Sequence, residues 1–203
     1  PTGNVEYIVH TGNNLLSYSY DVAQGIEDAL PDEVEDHTFA IFGENVAAFN
    51  NNGIWIGSMS AFEPGAGYWF IVDDGFIFEY NVPDGTSFTR SENLELSNEF
   101  DYYQSTSQAF YFVEDLSLTH YDIDESDVLL AYNNNTLVGA RAWGSCKDSE
   151  QYGCDIPVMG HDESDDNTRD FCEEGDIPKF VLYKTATKQF IDLEGDAVQS
   201  YEH

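Results

Sequence analysis

Short apolar runs, separated by Gly and Asn, make up most of this chain. Many of these runs are rich in aromatic and β-branched side chains, as strands are: residues 39–42, 46–49, 54–56, 68–72 and 76–80. Two of the separators, Asn52-Gly53 and Asp74-Gly75, suit tight hairpins, because a type I′ turn needs positive φ at both central residues. This spacing of strands and turns predicts an all-β fold of the sandwich or barrel kind.

The hydrophobic period changes once, near the N-terminus. Apolar side chains there recur at helical spacing, at Val22, Ile26, Ala29 and Leu30. We therefore predict one short helix over residues 22–30, with Asp21 as its N-cap and Pro31 just beyond its end. The acidic run that follows, residues 32–36, is predicted to be a solvated loop.

Two parts of the chain repeat the same order of residue types, which suggests an internal duplication. The offset between them grows from 82 residues, at Gly57 and Gly139, to 112 residues, at Tyr68 and Phe180. About 30 residues are therefore inserted in the second copy, and they hold every cysteine of the chain. Two ordinary hairpins of similar composition are the alternative.

The duplication predicts two tandem, small antiparallel β-sandwich-like units. The first unit covers residues 1–85 and lacks Lys and Arg, and a turn-rich segment after Tyr80 ends it. The second unit covers residues 86–203 and contains the cysteine-bearing acidic insertion, at about residues 144–178.

Charge limits the partners and the location of the protein. The chain has 39 acidic residues and 7 Lys or Arg, a formal net charge of -32, and its first cationic side chain is Arg90. Nucleic acid and anionic membranes are therefore excluded as partners. No apolar run is long enough to span a bilayer, so we expect no membrane insertion. Carboxylates without local cations must be solvated, screened by salt or bound to metal, which favours an extracellular or cell-surface location.

The three cysteines predict one disulfide. Cys146 and Cys154 lie eight positions apart in a polar stretch that closes easily into a loop. Cys172 is left over, and three alternatives stay open for it: a free buried thiol, a place in the bridge instead of one of the other two, or a cross-link to a second molecule.

Two acidic loops are candidate calcium sites, because hard cations are bound by alternating oxygen ligands. The first loop precedes a strand and offers Asp122, Asp124 and Asp127. The second lies in the insertion and offers Asp162, Asp165, Asp166 and Asp170. Ca²⁺ is thus the expected cofactor, and plain solvated turns are the alternative.

Trp143 is the candidate ligand-binding residue, because it follows a strand and leads into the insertion. Core packing is the alternative for this side chain. The sequence contains no Gly-x-Ser-x-Gly elbow, no His-Glu-x-x-His and no phosphate-binding Gly loop, so we do not expect an enzyme. A glycosidase stays open, because its two carboxylates need no local motif.

Two stretches resemble modules of known secreted proteins. Residues 12–17 together with 63–70 resemble the G-x-N-L-hydrophobic-S … P-G-x-G-Y-W units of bacterial surface proteins. Residues 127–140 are similar to the G-D-x-I-G-A-F-x-G-x-x-C-V-G-A strand pair of β-sandwich modules in large exported proteins of marine and Bacteroidetes-type bacteria. The chain departs from that pattern at Ser126 and Leu130, which each replace a Gly, and at Leu137, which replaces the Cys. The resemblance implies a non-catalytic module for export, adhesion or assembly.

The leading hypothesis is a non-enzymatic extracellular structural or adhesive protein, stabilised by Ca²⁺ and one disulfide. It would assemble with itself as a fibre or surface layer, or be displayed on a cell surface, with residues 1–10 as a strand for pairing across subunits. The alternative is a carbohydrate- or peptide-binding module of a secreted protein, which binds a glycan or a surface protein. Its site would lie at the insertion, with Trp143 and the Asp162–Asp170 loop at the rim.

Overall fold

The computed structural model describes residues 5–84, 98–113, 122–146, 154–195 and 201. The chain divides into two compact units, Pro1–Ser91 (unit 1) and Glu92–His203 (unit 2). All named strands pair antiparallel, in several open sheets. The predicted all-β fold is therefore confirmed. The division between the units falls a few residues after the predicted boundary, at a position outside the described residues.

Unit 1 is built on one five-stranded sheet, with the strand order β2-β8-β4-β5-β6. Two smaller sheets pair β1 with β9 and β3 with β7. The elements of unit 1 are β1 (Tyr7–Val9), β2 (Gly12–Ser17), β3 (Gln24–Gly25), α1 (Ile26–Ala29), α2 (Asp32–Glu35), β4 (Thr38–Gly43), β5 (Val46–Asn51), β6 (Ile54–Ile56), β7 (Ala61–Phe62), β8 (Gly67–Val72) and β9 (Phe76–Phe78).

The core of unit 1 is an aromatic cluster on one face of this sheet. Successive side chains of a strand point to opposite faces, so Tyr68 and Phe70 of β8 point inward together. Phe62 is fully buried, and its ring lies 4.9 to 5.8 Å from four other rings, those of Tyr18, Tyr68, Phe70 and Tyr80. Edge-to-face and stacked pairs of this kind stabilise a core beyond their buried area.

The helical segment of unit 1 differs from the prediction. Two one-turn helices, α1 and α2, replace the single helix at residues 22–30. Gly25 rather than Asp21 precedes α1, because Gln24 and Gly25 are already paired with β7. The acidic run at residues 32–36 is mostly α2 and not a loop, since the burial of Val34 fixes this turn against the core.

One further strand prediction needs correction. Asn52-Gly53 does join the paired strands β5 and β6, and both residues have positive φ. Asp74-Gly75, in contrast, joins β8 to β9, which belong to different sheets. Strand β9 pairs with β1 of its own unit, so the described part of residues 1–10 is engaged within the unit on one side.

Unit 2 contains a four-stranded sheet, in the order β12-β11-β14-β15, and a pair formed by β10 and β13. Between the two lies a core that includes Leu129, Val138, Ile156 and Val158. The insertion therefore supplies a fully buried strand, β13, as well as acidic loops. The elements are β10 (Gln108–Val113), β11 (Val128–Asn133), β12 (Thr136–Ala142), β13 (Cys154–Met159), β14 (Lys179–Lys184), β15 (Gln189–Asp192) and 3₁₀ turns at Asn98–Phe100, Trp143–Ser145 and Asp166–Thr168.

The units share a three-stranded arrangement, but not in the predicted alignment. In unit 1, β4 lies between β5 and β8, and in unit 2, β11 lies between β12 and β14. The counterpart of the hairpin β11–β12 is therefore β4–β5, whereas the residue pattern matched it to β5–β6. The pattern was misleading because both hairpins of unit 1 turn through an Asn with positive φ, Asn45 and Asn52.

The close contact between β12 and β13 can be tested by adding one methyl group to a glycine of β12. A Cβ on Gly139 would lie 1.8 Å from the carbonyl oxygen of Pro157, whereas a Cβ on Gly67 would meet its neighbours only at 3.7 Å. We expect Gly139→Ala to lower the free energy of unfolding of unit 2 by at least about 2 kcal/mol, because overpacking moves the backbone. Gly67→Ala should change stability by less than about 0.5 kcal/mol. Calorimetry on the wild type and both variants measures their unfolding temperatures. A Gly139→Ala variant that unfolds at the same temperature as the wild type would contradict this packing.

Candidate functional site

In the first acidic loop, a lysine ammonium takes the place predicted for calcium. Asp127 is fully buried, and its Oδ2 accepts hydrogen bonds from Lys184 Nζ and, at 2.7 Å, from the backbone N–H of Asp124. Lys184 Nζ also donates to the backbone carbonyl of Asp122. The other carboxylate oxygen of Asp127 accepts from the N–H of Thr185 at 3.0 Å. Asp127 is therefore an ion-pair partner that joins the start of β11 to the end of β14.

Both acidic loops contain the same four residues, Asp-Glu-Ser-Asp, and the same hydrogen bonds. Asp124 Oδ1 accepts from the backbone N and the hydroxyl of Ser126, at 2.9 and 2.7 Å. Asp162 Oδ1 accepts in the same way from Ser164, at 2.8 and 2.6 Å. These are Asx turns, in which a carboxylate binds the N–H two residues later. The signal for these turns in the sequence is a Ser two positions after an Asp.

These neutral donors lower the pKa values of the carboxyl groups. The backbone N–H of Ser126 is the main cause of the lowered pKa of Asp124. Ser164, through its hydroxyl, and then Thr106 hold the pKa of Asp162 at about 2. Hydrogen bonds to the charged form favour it, so these aspartates stay ionised without a nearby metal ion.

The remaining aspartates of the second loop also have local partners. Asp165 accepts from Asn167 at 2.8 Å and from the hydroxyl of Tyr103 at 2.8 Å, and the backbone N–H of Asn167 is the main cause of its lowered pKa. Asp166 forms an exposed ion pair with Arg169 at 2.8 Å. Asp170 is exposed, and its backbone carbonyl accepts from Asn133.

The predicted calcium ligands do not form a compact set of ligand atoms. Among the described residues, three such atoms lie close enough for one ion only at Cys146, Cys154 and Asp155. The two cysteines there form the predicted disulfide, with their Cα atoms 5.3 Å apart, so the disulfide prediction is confirmed. Asp155 is fully buried and paired with Arg141 at 2.8 Å. This group is therefore a disulfide beside an ion pair.

Trp143 is a core residue, so its predicted ligand-binding role is wrong. Its side chain is 4% exposed and packs against Cys146, Cys154 and Ile123, which leaves no indole face for a sugar. The leftover Cys172 is free and buried, and burial raises the pKa of its thiol to about 11. Of the three alternatives for Cys172, the free buried thiol is the one observed.

A cavity of about 550 Å³ lies next to Cys172. Ser107 and Tyr201, whose hydroxyls are 2.9 Å apart, line it together with His161 and Asp162. Its described lining includes three further carboxylates and no Lys or Arg, so the cavity excludes anions and suits a cationic or polyhydroxylated group.

An exposed apolar surface of unit 1 lies on the side of the five-stranded sheet opposite its core. We define this outer face by Leu15, Phe39, Phe42, Phe49, Ile54 and Trp69. Leu15 is 61% exposed, Trp69 49% and Phe39 56%. Leu15 is the cross-strand partner of Trp69, which is in turn the partner of Phe42, so one apolar row crosses β2, β8 and β4.

The sequence contained a signal for this face. Residues 68–72 of β8 are all apolar, and a continuous apolar run is typical of a strand that is covered on both sides. The inward side chains of this run, such as Phe70, are buried in the core. The outward ones, such as Trp69, remain half-exposed. The outward side of this run is therefore an exposed apolar surface.

Comparison with protein-family models, with curated proteins and with solved structures gives no match. None of the helices in the described residues has the length and apolar character needed to cross a membrane.

One carboxyl group of unit 1 has a strongly raised pKa. Glu35 ends α2 beside Trp55, and burial raises its pKa to about 7, with repulsion from Glu27, Asp32 and Asp36 adding to the shift. The indole N–H of Trp55 opposes the shift, although it is not in good hydrogen-bond geometry with Glu35.

The buried pair Lys184–Asp127 predicts a large effect of one substitution. Lys184→Met leaves a buried carboxylate without its cation, and we expect a loss of about 3–5 kcal/mol in the free energy of unfolding. Lys179→Met is the matched control, because the pair Lys179–Asp192 is exposed and contributes about 0–1 kcal/mol. Urea unfolding of both variants tests this, and a second change, Asp127→Asn, should restore part of the loss. Similar small losses for both lysines would contradict a buried ion pair.

The raised pKa of Glu35 predicts how the stability of unit 1 depends on pH. The folded state binds this proton more tightly than the unfolded state, so the stabilisation is complete below pH of about 4.5 and is lost as pH rises through about 7. Glu35→Gln should remove this loss and make unit 1 more stable than wild type at pH 8. Glu33→Gln, on the exposed side of α2, should leave the pH dependence of stability unchanged. Thermal unfolding between about pH 5 and 8 measures this pH dependence. Identical pH profiles for wild type and Glu35→Gln would refute the prediction.

Proposed function

We propose that this protein is a non-enzymatic extracellular structural or adhesive protein that associates with copies of itself, as a fibre, a surface layer or a display on a cell surface. The observation that carries the proposal is the outer face of unit 1. It is free of charge and half-exposed, and it lies on a strand whose apolar run is typical of sheets covered on both sides. Association covers this face.

An extracellular location is supported by the disulfide and by the charge. Disulfides persist mainly in oxidising compartments, and Cys146–Cys154 closes a loop at the start of the insertion. The third cysteine is buried and so protected from exchange with other thiols. A net charge of -32 keeps such a protein dissolved while its carboxylates are screened by salt.

A role without catalysis is supported by the state of Cys172 and of the loop aspartates. The thiol of Cys172 is buried and has a raised pKa, whereas a nucleophilic cysteine needs a lowered one. The loop aspartates Asp124, Asp162 and Asp165 have lowered pKa values, whereas a general acid at neutral pH needs a raised one.

Calcium stabilisation stays a prediction, and we restrict it to the loop Asp162–Asp170. Asp127 of the first loop is bound to Lys184 and is not open to a cation. The carboxylates of Asp162, Asp165 and Asp166 are exposed, or nearly so, to solvent. A Ca²⁺ ion there would replace hydrogen bonds from Ser164, Thr106 and Asn167.

Light scattering at two salt concentrations tests the proposal. At about 0.01 M salt, charges repel over about 30 Å and we expect monomers, whereas at about 1 M salt the range falls to about 3 Å and particles should grow. Trp69→Ser should abolish growth, because it removes the centre of the outer face. Val82→Ser is the control, since Val82 is also exposed, at 67%, but lies in none of the strands of that sheet.

The same titration with Ca²⁺ and then with chelator tests the metal. Dissociation or a lower unfolding temperature on chelation supports calcium stabilisation. A wild-type protein that stays monomeric in every condition would contradict self-association.

A second candidate function is favoured by the cavity beside Cys172. A carbohydrate- or peptide-binding module would use this polar, cation-free recess at the insertion, with Asp162 at its rim. Retention of a glycan or basic peptide by a monomeric wild type, and its loss in Ser107→Leu, would favour this candidate over self-association.

A further inference from the structure

The outer face of unit 1 is unsuited to contact with the same face of a second copy. Its strands end in exposed carboxylates, Glu44 in the β4–β5 turn and Asp73 and Asp74 after β8. The first 89 residues contain no Lys or Arg to offset them. Two identical faces would therefore place like charges opposite one another, which opposes association. A partner surface needs an apolar centre with cationic side chains around it.

Every cation of the described residues lies in unit 2. Arg141 and Lys184 are buried and paired with Asp155 and Asp127. The exposed cations among the described residues are Arg169, which pairs with Asp166 of its own loop, Lys179, which pairs with Asp192 at 2.8 Å, and Lys188. The last two belong to one element, the hairpin formed by β14 and β15.

The β14–β15 hairpin also carries an exposed aromatic side chain. Phe190 is 56% exposed, and its ring lies 4.9 Å from that of Tyr183, which in turn lies 4.8 Å from Phe100. These tilted and edge-to-face contacts hold one side of the Phe190 ring against its own unit. Lys188 is exposed two residues before Phe190, and Lys179 is 54% exposed beside Asp192 of β15.

The hairpin is also at a free edge of its sheet. The order β12-β11-β14-β15 leaves one side of β15 unpaired among the described strands. An unpaired edge strand is accessible to another molecule. The lysine charges near this edge oppose the pairing of two identical edges from two copies. The hairpin thus offers what the outer face of unit 1 lacks.

We infer that copies of this protein associate head to tail, with the outer face of unit 1 of one copy receiving the β14–β15 hairpin of unit 2 of the next. Phe190 packs on the row of Leu15, Trp69 and Phe42, and Lys188 and Lys179 lie toward the carboxylates around that face. The inference rests on the proposed self-association and names its two surfaces. Because the surfaces differ, each joint leaves one of each kind free, and the chain of copies grows into a filament unless it closes into a ring.

Two complementary variants test the inference. Trp69→Ser removes the receiving face but keeps the hairpin, and Phe190→Ser removes the hairpin contact but keeps the face. We expect each variant alone to be monomeric at about 1 M salt, and an equimolar mixture to form a one-to-one dimer and nothing larger. Sedimentation velocity measures all three samples. Formation of the mixed dimer also shows that both variants are folded.

The other outcomes overturn the inference. If Phe190→Ser alone still forms large particles, the hairpin is not the contact, although self-association stands. If Phe190→Ser alone forms dimers, the outer faces meet each other and the joint is not head to tail. If the wild type is monomeric, the proposed function fails together with the inference. Lys188→Glu adds a check, since it should reduce association more at about 0.15 M than at about 1 M salt.

Discussion

A shortage of cations is the constraint on which the rest of this structure depends. With 39 acidic and 7 basic residues, the chain cannot pair most of its carboxylates, so the position of each cation matters. Two cations are buried in unit 2, where Lys184 holds Asp127 and Arg141 holds Asp155. These pairs join β11 to β14 and β12 to β13. In the two acidic loops, hydroxyl and backbone N–H groups donate hydrogen bonds to the carboxylates in place of cations, as Ser126 and Ser164 do.

The same shortage separates the two units in character. Unit 1 has an aromatic core, a charge-free outer face and acidic strand ends, whereas unit 2 keeps the exposed lysines and the supported aromatic ring of Phe190. Among the described residues, the exposed lysines Lys179 and Lys188 lie on one hairpin of unit 2. Contact between this hairpin and the acidic unit 1 of another copy is more favourable than contact between like surfaces, which connects the proposed structural role to the proposed head-to-tail joint.

Local patterns in the sequence predicted the local structure well. They did not predict which residues far apart in the sequence become partners. The alternation of apolar residues located most strands, and Asn52-Gly53 marked a true hairpin, because side-chain direction and φ are local properties. The disulfide followed from a short loop. Of the helix predicted at residues 22–30 only Ile26–Ala29 is helical, because Gln24 pairs with Phe62, which lies far away in the sequence.

The candidate sites show the same limit. Alternating aspartates suggested calcium at Asp127, but its partner Lys184 comes 57 residues later and only the fold brings them together. The most direct test of the central claim is a carbon-detected NMR titration of the aspartate carboxyl groups in chelator. We predict that Asp162 titrates at about pH 2 with no metal present, because Ser164 and Thr106 donate to it. A pKa of Asp162 at or above its usual value would contradict the claim that neutral donors replace cations.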